Sequence, residues 1–361
     1  IKGLVAAHAH DDVVSDSAAS GTALATGRRT HVGAVGVAPG PDGLESADSV
    51  LERAESTGKA TGLVTTTSIT HATPAAFYAH QADRNNEKQI AGSLVDFAER
   101  IDGSDGVDYV AGGGGTYFDQ KMREVLAEKG VDVSDGWDAT VAPDRPAMRL
   151  VRDDALRSAS VRHEDGKETT PTLAEMTGVA LESLSRRKQG FFLVVEGGQI
   201  DWAQHAMDDG KALIDEVTDF DEAVDVAHNF ARNDGRTLVV VTADHSHTTS
   251  VMDNHYGFES DGCPCAAATE CGGSVELNWL PVAVDDIPHA EGFDARELQG
   301  EFSPPKIAIQ YGWLPKVAAP KTHLNGPHSA NFVPMYAYGP WAEKFEGFHD
   351  QPDVGRLLLE W

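Results

Sequence analysis

The chain has 361 residues, 41% of them hydrophobic, and its 57 acidic residues outnumber 29 basic ones to give a net charge of −28 at pH 7. This length and apolar content are sufficient for a full core in one large domain. The acidic balance disfavours nucleic acid and anionic lipid as partners, because both are negatively charged, and no apolar stretch approaches the length of a membrane span.

Short apolar runs alternate with amphipathic segments along most of the chain. Helices are predicted over residues 17–26, 46–56, 87–101, 172–187 and 212–232, and strands over 63–67, 191–195, 237–241 and 332–338. This alternation predicts a three-layer α/β/α sandwich with a largely parallel central sheet. The pattern breaks up over residues 252–324, which we expect to form an inserted subdomain or long excursion from a core made of residues 1–251 and 325–361.

The first predicted helix begins with a serine beside a carboxylate, since Asp16 precedes Ser17 and an alanine-rich run. The small residues leave the N–H groups of the first turn available to an incoming phosphate. Ser17 is therefore a candidate nucleophile, although an ordinary helix N-cap would also explain a serine at this position.

Side chains that commonly bind metals lie next to each predicted strand. Asp201 and His205 are four residues apart, so one helical turn would place them on the same face. Each signal alone has an ordinary explanation as a surface ion pair or helix cap, but their convergence on one edge of one sheet predicts a metal site. Carboxylates with imidazoles suit zinc, whereas Glu with a Thr hydroxyl suits magnesium. The candidates are His71, Thr73, Glu196, Asp201, His205, Asp244, His245, His247 and His328, and Arg84 follows shortly after Thr73.

These residues resemble the alkaline phosphatase family, whose motifs appear here in the family's order. The resemblance runs from Val14 to about Val251 and resumes near His328. The matching blocks are Asp16-Ser17-Ala18 with Thr22, His71-Ala72-Thr73-Pro74 with Arg84, Glu196-Gly197-Gly198 through Asp201 and His205, Thr242-Ala243-Asp244-His245, and His328 before Ala337-Tyr338-Gly339-Pro340.

The resemblance implies hydrolysis of phosphate monoesters of many alcohols through a phosphoserine intermediate, with inorganic phosphate as product, two zinc ions and one magnesium ion. It implies Ser17 as nucleophile and Arg84 as phosphate clamp. The metal ligands that it implies are Asp201, His205 and His328 for the first zinc, Asp244 and His245 for the second, and Thr73 and Glu196 for magnesium. Asp16, His71, Trp202 and His247 would surround these ligands, with His247 orienting a ligand carboxylate, and the His71 and Trp202 pair leaves the identity of the third metal open.

Two alternatives are a phosphodiesterase or sulfatase-like hydrolase on the same scaffold, and an inactive metal-binding surface protein. Arg84 favours a monoester, because its planar guanidinium can grip two phosphoryl oxygens at once and a diester leaves fewer of them unesterified. Ser17 differs from the modified Cys or Thr nucleophiles of other branches. We therefore predict a phosphoric monoester hydrolase.

The family's metal-bridging aspartate lies in a Gly-Asp-Gly-Met-like turn upstream of the nucleophile, and nothing before Asp16 matches it. Residues 1–10 are too few for the strand and helix that usually intervene. We expect an upstream segment to supply this carboxylate, and the alternative is that Asp11 or Asp12 folds back into the gap.

The acidic surface also bears on the environment of the protein. Aspartate is heavily used and lysine is scarce, so we predict adaptation to high salt over a merely acidic enzyme. Concentrated cations would screen the repulsion between the acidic side chains. The resemblance implies export to the extracellular or cell-surface space and is compatible with a homodimer. Cys263, Cys265 and Cys271 lie in the predicted insertion, where a disulfide with one free thiol is favoured over a structural metal site with a fourth ligand such as His255.

Overall fold

The computed structural model describes residues 2–142, 145–164, 170–206, 210–247, 250–253, 279–283, 306–310 and 328–361. The chain divides into two compact units. The first comprises Ile1–Gly198, Asp219–Ser246 and His328–Trp361, and the second comprises Gln199–Thr218 and His247–Pro327.

Strands and helices alternate along the first 200 residues. The strands are β1 Lys2–Ala6, β2 Val37–Gly40, β3 Gly43–Ser46, β4 Ala60–Ser68, β5 Tyr109–Gly113, β6 Asp132–Asp135, β7 Ala147–Leu150, β8 Phe191–Glu196, β9 Val239–Thr242, β10 Ser246–His247, β11 Ser250–Asp253, β12 Trp279–Ala283, β13 Lys306–Gln310, β14 His328–Ser329, β15 Val333–Tyr338 and β16 Gly347–Asp350. The helices are α1 Ser17–Thr26, α2 Val50–Ser56, α3 Ala72–Ala75, α4 Glu87–Val95, α5 Phe97–Arg100, α6 Gln120–Glu128, α7 Ala159–Glu164, α8 Leu173–Leu184, α9 Gln199–Ala206, α10 Gly210–Asp234 and α11 Gln351–Glu360.

A five-stranded sheet in the order β6-β7-β5-β4-β8, parallel throughout, forms the centre of the first unit. Successive side chains of a strand point to opposite faces, and Leu63 and Val64 of β4 accordingly join different core clusters. Leu63 packs with apolar residues of α2 to α6, whereas Val64 packs with those of α8. Helices therefore cover both faces, and the predicted α/β sandwich with a parallel sheet is confirmed.

A second, four-stranded sheet in the order β16-β1-β15-β9 lies in the same unit. Strand β15 runs antiparallel to β9, with Met335 opposite Thr242 and Tyr338 opposite Val239. The start of β15 therefore lies beside the carboxyl end of β9, which brings the residues before β15 to the residues after β9. The four site strands were expected in one sheet, whereas within the described residues they fall in two, because β9 pairs with β15 and β8 pairs with β4.

Two predicted helices differ from their expected bounds, and local capping explains the first of these differences. The helix predicted over 46–56 begins at Val50, because Ser49 and Glu52 form a capping box and Ser46 belongs to β3. The helix predicted over 87–101 breaks at Asp96 into α4 and α5. By contrast, α1 has the predicted bounds 17–26.

In the second unit, β11, β13 and β12 form a three-stranded antiparallel sheet. The other residues of the predicted insertion 252–324, including Cys263, Cys265 and Cys271, lie outside the described residues, and this domain boundary stays a prediction. Within the described ranges, no helix combines the length and apolarity that crossing a bilayer requires.

Glu55 of α2 is a buried carboxyl whose titration should be visible in stability. Its side chain accepts hydrogen bonds from the hydroxyls of Thr61 and Ser104. Burial, with repulsion from Asp108 and Asp105, raises the pKa of Glu55 from 4.5 to about 7. Between these two values the folded protein binds more protons than the unfolded chain, so the free energy of unfolding falls as pH rises through this window.

We expect Glu55→Gln to change stability little at pH 5 and to raise the free energy of unfolding at pH 8 by about 1–3 kcal/mol, because the amide stays neutral. Melting temperatures of variant and wild type at both pH values measure this effect, with the exposed Glu128→Gln as control. An equal difference at pH 5 and pH 8 would contradict the prediction.

Candidate metal and phosphate site

Asp16 and Ser17 lie at the N-terminus of α1, which follows the carboxyl end of β1. Asp16 caps the helix by accepting a hydrogen bond from Ala19 N–H at 3.0 Å, and it also accepts from Gly33 N–H. Burial alone would raise the pKa of Asp16, but these hydrogen bonds and Arg84 leave it lowered. The ionised carboxylate fixes Ser17, itself buried, as the first residue of the helix.

Arg84 is anchored beside this helix start. Its Nη1 donates to Asp16 Oδ2 at 2.9 Å, and its Nη2 lies 3.1 Å from His71 Nε2. The backbone N–H of Arg84 donates to Gly33 O. One contact to a carboxylate and one to an imidazole therefore orient the Arg84 guanidinium. Its remaining N–H donors suit phosphoryl oxygens.

Asp244 and His245 follow β9, and His245 lies next to the serine. The Oγ of Ser17 is 3.1 Å from Nε2 of His245. The ring of His245 stacks on that of His328, with centroids 3.6 Å apart. His328 Nδ1 lies 2.8 Å from Ser15 O and donates to it, which puts the ring's lone pair on Nε2, the arrangement of a metal-binding imidazole.

Thr73 and Glu196 meet at the ends of parallel strands. Glu196 ends β8 directly opposite Thr65 of β4, and its carboxylate accepts from the hydroxyls of Thr65, Thr67 and Thr73. Burial raises the pKa of Glu196, and the nearby Asp244 carboxylate raises it further. Two acidic groups that lie close together are stabilised by a cation.

In the second unit, Asp201, His205 and His247 converge. Each offers a ligand atom, and these atoms lie within 4.8 Å of one another. His247 Nε2 is 2.6 Å from Asp201 Oδ1, and the rings of His205 and His247 are 4.7 Å apart. Trp202 follows Asp201 in α9, and its side chain is partly exposed.

The donor set fits the metals that the sequence analysis expected. Asp201 with His205, and Asp244 with His245, supply the mixed carboxylate and imidazole ligands that zinc accepts. Glu196 and Thr73 supply only oxygen, which suits magnesium. Asp11 and Asp12 are both exposed, and their carboxylates accept from the backbone N–H groups of Val32 and Val14 respectively.

Two contacts in this region were missed by the sequence analysis. Ser20 Oγ lies 3.3 Å from Asp244 Oδ2, and Gln351 Nε2 donates to Asp244 O at 2.6 Å. Ser20 is one turn from Asp16, so helical spacing offered a signal for it. Gln351 lies 107 residues from its partner, and no local pattern indicates such a contact.

Comparisons with known proteins agree with this chemistry. The sequence model of the family described as "Alkaline phosphatase" matches residues 1–153 and 142–360. Alkaline phosphatase 4 of Bacillus subtilis is 34% identical over 380 residues, covering 96% of this chain and 76% of that protein. The membrane-bound alkaline phosphatase of Bombyx mori is 30% identical over 406 residues, covering 98% and 70%. A TAB5 alkaline phosphatase variant solved with Mg bound in its M3 site superposes with a TM-score of 0.72 and 27% identity, covering 99% of this chain and 87% of that one.

Proposed function

We propose that this chain, which belongs to the alkaline phosphatase family and is a metal-dependent phosphoric monoester hydrolase, works through a phosphoserine formed on Ser17. The observation that carries this proposal is the 3.1 Å distance from Ser17 Oγ to His245 Nε2 at the start of α1. A hydroxyl beside a proposed metal ligand, at a helix N-terminus, is placed for attack on a bound phosphate.

The metals are assigned by their ligands. The family normally uses zinc and magnesium; we assign the first zinc to Asp201, His205 and His328, the second to Asp244 and His245, and magnesium to Thr73 and Glu196. When bound, zinc would favour the ionised form of the Ser17 hydroxyl and neutralise charge on the ester oxygens.

Ser17, Arg84 and His247 each have a separate role in the proposed reaction. The Ser17 hydroxyl loses its proton and its oxygen forms a bond to phosphorus as the bond from phosphorus to the alcohol oxygen breaks, so that the alcohol leaves after gaining a proton. Water later cleaves the phosphoserine, which releases inorganic phosphate and restores the Ser17 hydroxyl. Arg84, held by Asp16 and His71, grips two of the non-bridging oxygens. His247, through its contact with Asp201, orients a ligand carboxylate.

The test is phosphate release from an aryl monoester and from an aryl diester, with and without chelator. We expect turnover of the monoester and at least tenfold less of the diester, because a diester has only two unesterified oxygens and leaves none for a metal once Arg84 binds both. Chelator should abolish turnover of both. Preference for the diester would support a phosphodiesterase, and no turnover of either would support an inactive metal-binding protein.

We further propose that the protein is adapted to high salt and acts outside the cell or at its surface. The net charge of −28 supports the first proposal, and the relative named as membrane-bound supports the second. A homodimer is compatible with such a surface where salt screens it.

Salt adaptation predicts a melting temperature that rises from dilute buffer into the molar range. Repulsion between charges extends over about 10 Å at 0.1 M salt but only about 3 Å at 1 M, so concentrated salt removes most of its cost. Thermal melts in increasing KCl measure the effect, with an uncharged osmolyte as control. A melting temperature that stays flat from 0.1 to 3 M KCl would rule out salt adaptation.

A further inference from the structure

Helix α11 contacts both α1, which begins at Ser17, and the loop after β9, which carries Asp244 and His245. Its first residue, Gln351, is 0% exposed, and its Nε2 donates to the carbonyl oxygen of Asp244 at 2.6 Å. That carbonyl belongs to the peptide group joining Asp244 to His245. One hydrogen bond therefore orients the peptide plane between two proposed zinc ligands.

The same helix packs against α1, which begins at Ser17. A Cβ atom placed on Gly355 would lie 2.4 Å from Ala23 O and 2.6 Å from Gly27 N, so the two helices meet backbone to backbone. Arg356 Nη1 also donates to Gly27 O at 2.9 Å. Helix α11 is thus a common support for the serine and for the loop that follows β9.

Packing alone does not explain why the polar side chain of Gln351 is buried. Its Oε1 is buried and has no hydrogen-bond partner among the residues that the structure describes. An unpaired buried amide oxygen lowers the stability of the folded protein, and an apolar residue of the same size would avoid this loss. The contact that offsets this cost is the bond to Asp244 O.

We propose that Gln351 is a positioning residue of the phosphatase reaction, which holds Asp244 and His245 in the orientation that binds zinc beside Ser17. This inference rests on the proposed function. Groups that orient metal ligands typically affect metal affinity, because a ligand held in the right direction loses less freedom on binding.

Gln351→Met tests the proposal, since methionine keeps the length of the side chain and removes the donor. Zinc is titrated into chelator-stripped protein against a chromophoric zinc indicator. We expect one zinc equivalent to bind about tenfold or more weakly than in the wild type. We also expect a lower kcat at limiting zinc that excess zinc restores. Gln120→Met is the matched control, because Gln120 also begins a helix but is exposed.

Unchanged zinc affinity in Gln351→Met would overturn the proposal. If the melting temperature fell at the same time, the role of Gln351 would be purely structural. If this variant does not fold, Gln351→Leu gives the same readout, because leucine has neither a hydrogen-bond donor nor a metal-binding atom. A wild type that neither binds zinc nor cleaves monoesters would overturn the proposed function as well, whereas a normal wild type with an unaffected variant would overturn this inference alone.

Discussion

Ser17→Ala is expected to lower kcat for an aryl phosphate about a thousandfold or more while leaving zinc content and phosphate affinity within a few-fold of the wild type. The proposed mechanism routes the phosphoryl group through the Ser17 oxygen, which the variant lacks. The anion is held by other groups, because Arg84 is anchored on Asp16 and His71 and not on Ser17. Steady-state kinetics and zinc analysis of both proteins measure the two expectations.

Acid-quench trapping with labelled substrate gives the direct readout for Ser17. The wild type should retain covalent label and Ser17→Ala should retain none. Ser93→Ala, which removes a hydroxyl that donates to Gln89 O within α4, serves as the control. Undiminished label in Ser17→Ala would contradict the assignment of the nucleophile.

The largest effect on stability is expected from Asp219→Asn. The Asp219 carboxylate pairs with Arg162 at 2.8 Å, and both side chains are only 1% exposed. It also accepts from the backbone N–H of Leu173 at the start of α8. Removing the negative charge breaks the buried ion pair between Asp219 and Arg162, and breaking such a pair from one side typically costs about 3–5 kcal/mol.

Denaturant unfolding of Asp219→Asn and wild type measures this difference. The matched control is Glu182→Gln, which removes the acidic partner of Arg186 in an exposed pair with the same 2.8 Å separation. Exposed pairs contribute about 0–1 kcal/mol. If both variants lost the same free energy of unfolding, burial would not increase the contribution of the ion pair between Arg162 and Asp219.

Local chemistry could be predicted from the sequence because it depends on neighbouring residues. Helix α1 begins at Ser17 and ends at Thr26 as predicted, since Asp16 caps it from the adjacent position. Strand β8 agrees with its prediction to within one residue. The motif blocks indicated the family for the same reason, because each block is a short run whose residue types and spacing are visible without the fold.

Strand pairing and long-range contacts were decided only by the tertiary structure. The antiparallel pairing of β15 with β9 stacks His328 on His245, and nothing near either histidine in the sequence indicates that arrangement. The bond from Gln351 to Asp244 likewise joins residues 107 positions apart. Sequence patterns report the period and the caps of a single element, whereas the partner of a strand or a buried side chain depends on which distant surfaces pack together.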